Sequence, residues 1–390
     1  MLKIKIKIAS FVFLCLFICS GIVIFLLKAK PETRWHHIYE DYSQSALEET
    51  ILGIDDLIFS SLFSLGIKER CLKQTIFEKP YQGGTYSFTK IMVKRPFTLP
   101  FSKIKQTFNE CLHRFPGLGI KFCQKTYRFD IYISWHNLTT HHLIFDAQVP
   151  IPSPPLHKPY IAIIVDDLGY DIEAVQQLIT LKAPLTYSIL PWGPYSEKIT
   201  QLLRNNHEEI MLHLPMEPLG YPKINPGPGA LLLSMSSSTL LKQLDADLNA
   251  LTYIEGVNNH MGSKFTQDKI HMMLLLKEIK KNGLFFVDSL TTPKSVAYKM
   301  ALQLGIPATR RDVFLDATLD VLSIKRRLET LKRWATHKGT AVAICHPYIT
   351  TIMVLAKAMP ELKRDFNVVP VSEVIRQQAH LKLILSALSK

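Results

Sequence analysis

Several stretches of this 390-residue chain hold side chains that could act together. Asp166-Asp167 pairs two carboxylates. His213, His260 and His346 are imidazoles far apart in the chain. Asn258-Asn259 lead into the second of them, and Asp288-Ser289 lies between it and the last. One carboxylate and two imidazoles suit a divalent cation, zinc first, that keeps an open coordination position. Such an ion acidifies a water and polarises a carbonyl oxygen. A second carboxylate can take the water's proton, and a histidine across the site can protonate a leaving amine. The pattern points to metal-assisted hydrolysis. Any single member would mean little, but the whole set is costly to bury unless a metal or proton chemistry uses it.

Rival chemistries fit less well. Asp166-Asp167 alone could be a glycosidase acid pair, but adjacent strand residues point to opposite faces, so one ligand and one base suit the geometry better. Ser263 and Ser289 lack the setting of a nucleophile elbow. Gly227-Pro-Gly229 is not followed by Gly-Lys-Ser/Thr or by a G-x-G-x-x-G pattern, so it is no phosphate cradle.

The elements that must position these residues lie beyond Tyr160, where short apolar strands alternate with helical stretches. Strands are expected at Ile161–Val165, Thr186–Leu190, Glu209–Leu214, Gly256–Asn258, Leu284–Val287, Thr340–Cys345 and Asn367–Val371. Helices are expected at 173–181, 196–205, 238–251, 269–282, 295–304, 319–337 and 349–359. Strands without polar alternation are buried on both faces, as in parallel sheets. The fold class is therefore α/β: a (β/α) barrel, seven-stranded and incomplete, or a doubly wound sheet. In both, chemistry gathers at the carboxyl ends of the strands, where the polar set sits. Trp192 and Tyr195 read as core, and the rigid Asn225–Gly229 turn reads equally as a fold element or a substrate lip.

The rest of the chain divides into an apolar segment at 1–30, a small α+β region at 31–148 and a proline-rich linker at 149–159, ahead of the main domain at 160–390. Ile8–Leu27 is long enough to cross a bilayer, and lysines flank it at 3, 5, 7, 28 and 30. This predicts an uncleaved signal anchor, with the bulk of the chain in the periplasm or on the extracytoplasmic face. In the small region, 43–65 and 101–115 read as helices, Thr85–Val93 as a strand, and Asn137 as the turn of a hairpin. His141-His142 reads as packing, and a Cys111–Cys123 disulfide is open. The net charge of +13 is scattered, which argues against nucleic acid as a partner.

The polar set resembles the divergent branch of the polysaccharide deacetylase superfamily. The resemblance rests on Val165-Asp-Asp-Leu-Gly169, Met211-Leu-His-Leu-Pro-Met-Glu-Pro218, Asn225-Pro-Gly-Pro-Gly-Ala230, Asn258-Asn-His-Met-Gly-Ser263, Phe285-Phe-Val-Asp-Ser289 and Cys345-His-Pro347. It spans about residues 158–376. It implies a hydrolase of linear amide bonds that removes N-acetyl groups from an envelope polysaccharide, with metal-bound water as nucleophile, Asp166 as general base and His346 as general acid. Asp167 and His213 match metal ligands. The second ligand histidine of the family, four positions after the first, is Glu217 here. Either Glu217 is an oxygen ligand or His260 takes the third place. His260 is preferred, because Pro215 disrupts the helical turn that would align Glu217 with His213. Asn259, Asp288 and Ser289 are expected to orient His346 or contact substrate. The Asp usual after the late histidine is replaced by Pro347. These two departures keep a second reading open, a non-catalytic or repurposed envelope protein that binds glycan or a protein partner.

Overall fold

The computed structural model describes residues 43–67, 71–81, 84–94, 99–113, 115–124, 128–146, 158–292 and 294–388. The apolar segment at 8–27 and most of the proline-rich linker lie outside these residues. Among the described residues no helix is long and apolar enough to cross a membrane.

The amino-terminal part contains α1 (Ser43–Ser64), β1 (Leu72–Tyr81), β2 (Gly84–Lys94), α2 (Phe101–Leu112), β3 (Leu118–Gln124), β4 (Arg128–Trp135) and β5 (Leu138–Asp146). They form a five-stranded sheet in the order β1-β2-β5-β4-β3, in which only β2 and β5 run parallel. Ile54, Ile58 and Leu62 recur at helical spacing on α1. With Ile104, Phe108 and Leu112 of α2 they cover Ile91, Val93, Ile131, Ile133 and Phe145 of the sheet. The expected hairpin turns at His136-Asn137, both with positive φ, as a two-residue hairpin turn requires. β1 and β3 were not expected from the sequence. β1 carries Lys, Gln, Glu and Pro80, an edge-strand composition that masks its apolar alternation.

His141 is buried, with Nε2 3.1 Å from Asp55 Oδ1 and Nδ1 2.8 Å from Thr140 Oγ1. His142 points to the opposite face and stacks on Tyr132 at 4.2 Å. The two rings serve packing on separate faces. Cys111 and Cys123 are free thiols, so the disulfide does not form.

The second sheet is built from β6 (Tyr160–Leu168), β7 (Thr186–Ile189), β8 (Glu209–Met216), β9 (Gly256–Met261), β10 (Phe285–Asp288), β11 (Ala308–Arg310), β12 (Val313–Phe314), β13 (Thr340–Cys345) and β14 (Asn367–Val368). Its order is β11-β10-β9-β8-β7-β6-β13-β12, with β14 beside β6 and every pairing parallel. The helices between strands are α3 (Ile172–Thr180), α4 (Ser196–Asn205), α5 (Ser237–Asn249), α6 (Lys269–Lys281), α7 (Ala297–Gln303), α8 (Val321–Lys338) and α9 (Ile349–Asp365). The strands expected from the sequence are present, except that the last stops at Val368 and Val371 instead opens a helix. β11 and β12 are additional, and they are too short to register as apolar runs.

β11 and β12 stand at opposite edges of the sheet, yet only Arg311 and Asp312 separate them in the chain. Arg311 N donates to Asp288 O on β10, and Asp312 N donates to Val342 O on β13. The sheet therefore curls until its edges are joined by one short stretch of chain, an incomplete barrel with a seam instead of a strand pair.

The strands are buried on both faces. Ile161, Ile163, Val165, Leu212 and Leu214 pack outward against the helices. Ala162, Ile164, Met211, Val287, Val342 and Ile344 face Val371, Val374 and Ile375 of a final helix, α10 (Val371–Leu388). The first backbone N–H groups of α10 meet Thr186 Oγ1 and the buried Glu209 carboxylate, at the amino ends of β7 and β8. A helix amino terminus favours such a partner because its leading N–H groups have none within the helix. α10 thus stops the amino end of the barrel and leaves polar chemistry to the carboxyl end.

Candidate metal centre

The register between β6 and β7 shifts between Val165 and Leu168. Asp167 there adopts φ 59°, a left-handed conformation that costs a non-glycine residue energy and collects at functional sites. The bulge overrides strand alternation, so the expectation that Asp166 and Asp167 point apart fails. Both carboxylates reach His213 of β8: Nε2 lies 3.0 Å from Asp167 Oδ1 and 3.7 Å from Asp166 Oδ2.

Asn258 and His260 are two apart on β9 and share a face. His213 is the register partner of Asn258 on the neighbouring strand. The Asn258 amide is the hub of the site. Its Oδ1 accepts from Ser188 Oγ at 2.5 Å and lies 2.8 Å from His213 Nδ1. Its Nδ2 donates to Asp166 Oδ1 at 2.9 Å and to Ser289 Oγ at 3.2 Å. Facing an acceptor oxygen, His213 keeps its proton on Nδ1 and presents the Nε2 lone pair to the site.

That lone pair meets two others. Asp167 Oδ1, His213 Nε2 and His260 Nδ1 form a triangle with sides of 2.9, 3.0 and 3.2 Å. These three residues make up the group whose ligand atoms could hold a metal ion among the described residues. Three such atoms this close repel unless a proton or a metal ion lies between them. Ligands at ordinary zinc distances around one tetrahedral ion would stand roughly 3.3 Å apart. The donor set and its spacing therefore fit a divalent ion.

His346, after β13, faces this triangle from the other side, with Nε2 3.7 Å from Asp167 Oδ2. Asp316 holds it: the carboxylate lies 3.0 Å from His346 Nδ1, accepts from His346 N at 2.7 Å and accepts from Thr351 Oγ1 at 2.8 Å. Burial opposes the charged form of His346, but Asp316, Asp167 and Asp166 outweigh it and push its pKa up to about 9. Burial raises the Asp166 pKa against the pull of His213 and His346. Asp167 also loses solvent, yet His260 and His213 hold it well below the usual carboxylate range. Burial opposes charge on His213 too, but Asp166 and Asp167 raise its pKa.

Residues 163–375 match the model of the divergent polysaccharide deacetylase family. The chain belongs to this family. It is 31% identical over 218 residues to an uncharacterised protein of Haemophilus influenzae, which covers 56% of this chain and 77% of the relative. It is 28% identical over 235 residues to the uncharacterised protein YibQ of Escherichia coli, covering 60% of this chain and 73% of the relative. The crystal structure of an uncharacterised Agrobacterium tumefaciens protein superimposes with a TM-score of 0.54 at 28% identity, covering 57% of this chain and 92% of that one. The fold is that of the polysaccharide deacetylases.

Other residues expected at the site stand elsewhere. Glu217 is turned away from the triangle: it pairs with Lys264 Nζ at 2.5 Å and accepts from Leu233 N at 2.6 Å. The reason is local conformation. Residues from His213 to Met216 are strand, not helix, so four positions span about 13 Å instead of one helical turn. Asn259 lies on the face opposite Asn258, where its Oδ1 accepts from Ser289 N and its Nδ2 donates to Met261 O. It braces a loop and does not face the triangle. Asp288 accepts from Leu290 N, Ser295 Oγ and Tyr298 N, fixing the entry to α7, and does not orient His346. Ser289 touches the site only through Asn258. Arg311 donates to Ser289 O and Leu290 O, and so ties the seam. Trp192 and Tyr195 are each 46% exposed, so they are not core.

The sequence assigns no role to Asn258 apart from its motif, and none to Asp316. Asn258 was hidden by its twin, since only strand phase tells which of two adjacent asparagines faces the site. Asp316 ends Val313-Phe-Leu-Asp316, the same apolar-run-then-acid pattern as Ile164-Val-Asp166. Its strand is two residues long, and the signal is correspondingly faint.

Proposed function

We propose that this chain is a metal-dependent N-deacetylase of an envelope polysaccharide. The observation that carries the reading is the triangle of Asp167, His213 and His260, with Asp166 and His346 close beside it. A divalent ion held by those three residues would acidify water and polarise the acetyl carbonyl. Asp166 accepts the proton of the attacking water at Oδ2. Its raised proton affinity suits that task, and Asn258 holds the other oxygen in place. His346 delivers a proton from Nε2 to the departing sugar amine. Asp316 retains the proton on Nδ1 and supports the imidazolium. The lysine-flanked apolar run at 8–27 would anchor the catalytic part outside the cytoplasm, beside such a polymer.

The two departures that favoured a non-catalytic reading are each offset. His260 stands near Asp167 and His213 where Glu217 does not, and Asp316 meets His346 where Pro347 cannot. Elemental analysis of the purified full chain, with acetate release measured on N-acetylated glycans, tests the proposal. We expect one divalent ion per chain and turnover abolished by chelator. Bound metal with no acetate release across a broad glycan panel would refute it.

A further inference from the structure

Trp192 follows β7, the strand between the one that carries Asp166 and Asp167 and the one that carries His213. Its loop is packed onto the residues just after Asp167: Tyr195 N donates to Gly169 O, Leu190 N donates to Leu168 O, and a Cβ on Gly193 would fall 2.7 Å from Gly169 O. The indole is half exposed, but its edge is fixed. Nε1 donates to Oδ1 of the fully buried Asp247 on α5 at 2.6 Å, and Gln243 Nε2 donates to the same oxygen at 2.9 Å. Asp247 Oδ2 is buried with no hydrogen-bond partner. Gly229 passes over this contact at φ 83°. A Cβ there would lie 2.5 Å from Asp247 Oδ1 and 2.6 Å from the indole, so only glycine fits.

A residue serving the core would be covered, and a surface aromatic would need no buried carboxylate to hold it. Here a desolvated acid and a side-chain-free backbone fix an aromatic plane that remains open to solvent, on a loop packed against the residues just after Asp167. A rigid, amphipathic ring loses little freedom on binding and presents a flat apolar face. The apolar face of a pyranose is its natural complement. We propose that Trp192 is a stacking platform for a sugar ring of the N-acetylated glycan bound at the triangle, with Asp247 its positioning residue. This rests on the deacetylase reading and adds where a sugar of that polymer is held and which residue fixes its platform. Burial raises the Asp247 pKa to about 7, against the donors Trp192 and Gln243, in keeping with the strain carried to hold the ring.

The test titrates the full chain, metal removed, with the N-acetylglucosamine tetramer by calorimetry and indole fluorescence. Acetate release from tetramer and monomer is followed on the metal-loaded chain. We expect W192A to weaken tetramer binding at least 10-fold and to raise KM more than it lowers kcat, with a smaller loss on the monomer. W192F, which keeps a ring but no Nε1–H, should lose about 3-fold. D247A should resemble W192F, and D247N, whose amide oxygen can still accept from the indole, should recover most of the binding. A purely structural Asp247 would lower the melting temperature of D247A and leave KM in place, which overturns its positioning role. Turnover by wild type with the same tetramer KM in folded W192A overturns the platform while leaving the deacetylase reading intact. No binding and no turnover by wild type overturns both.

Discussion

The two sheets of this protein both bury histidine against aspartate, and they do it to different ends. On the five-stranded sheet, His141 meets Asp55 of the covering helix α1 at 3.1 Å, and its other ring nitrogen has Thr140 beside it. Each donor finds an acceptor, and the pair closes on itself. In the barrel, His213 spends its proton on Asn258 and turns a lone pair toward the oxygen of Asp167 and the nitrogen of His260. There three ligand atoms converge on one point. Burial and pairing are thus common to scaffold and site. The convergence of three ligand atoms is what distinguishes the site.

The sharpest way to break this contrast is to remove one member from each region. Asp167→Ala or His213→Ala should release the metal and cut acetate release by about 1000-fold or more, read by elemental analysis and turnover. His141→Ala should leave metal content and turnover in place. It strands a buried Asp55, so chemical denaturation should show a loss of about 3–5 kcal/mol. Metal loss in His141→Ala would erase the distinction.

Asn258→Ala removes the group that sets the proton on His213 and steadies Asp166. Metal affinity should fall about 10- to 100-fold, by competition with a chelating dye, with the fold intact by circular dichroism.

Asp316→Asn should shift the pH profile. His346 is raised to about 9 from an ordinary value of about 6.5. It stays protonated, and able to act as an acid, until pH rises through about 9. In Asp316→Asn the alkaline limb of kcat should move down by at least about one pH unit. The same group contributes stability that is complete below about pH 6.5 and lost as pH climbs through the folded value, a dependence the variant should flatten.

The smallest effect belongs to Glu217→Gln. With Glu217 engaged by Lys264 and Leu233 N, metal content should not change, and the melt should report a loss of about 1–2 kcal/mol. Loss of metal would return Glu217 to the ligand set.

Much of the barrel was legible because its strands are apolar on both faces and end in acids or imidazoles. Ile161–Val165 before Asp166 and Thr340–Cys345 before His346 announce themselves in this way. What stayed hidden was set by single residues or by long-range pairing. The bulge that turns Asp166 and Asp167 to one side arises from pairing with β7. Whether Asn258 or Asn259 faces inward depends on strand phase. β12 is too short to show a pattern, and Asp316 went unseen with it. The half-exposure of Trp192 depends on a partner 55 positions away, which no local pattern reveals.

The seam between β11 and β12 carries a last consequence. Neighbouring strands elsewhere in the ring are zipped by ladders of backbone bonds, whereas these edges are joined through the chain at Arg311 and Asp312. Arg311 N extends the ladder to β10 and Asp312 N the ladder to β13, so the step between these two residues joins the edges. Residues added between Arg311 and Asp312 would therefore widen the opening and carry Asp316, with the imidazole it steers, outward from the triangle, while the other strand pairings kept their registers. One short tether thus couples the closure of the sheet to the position of that imidazole.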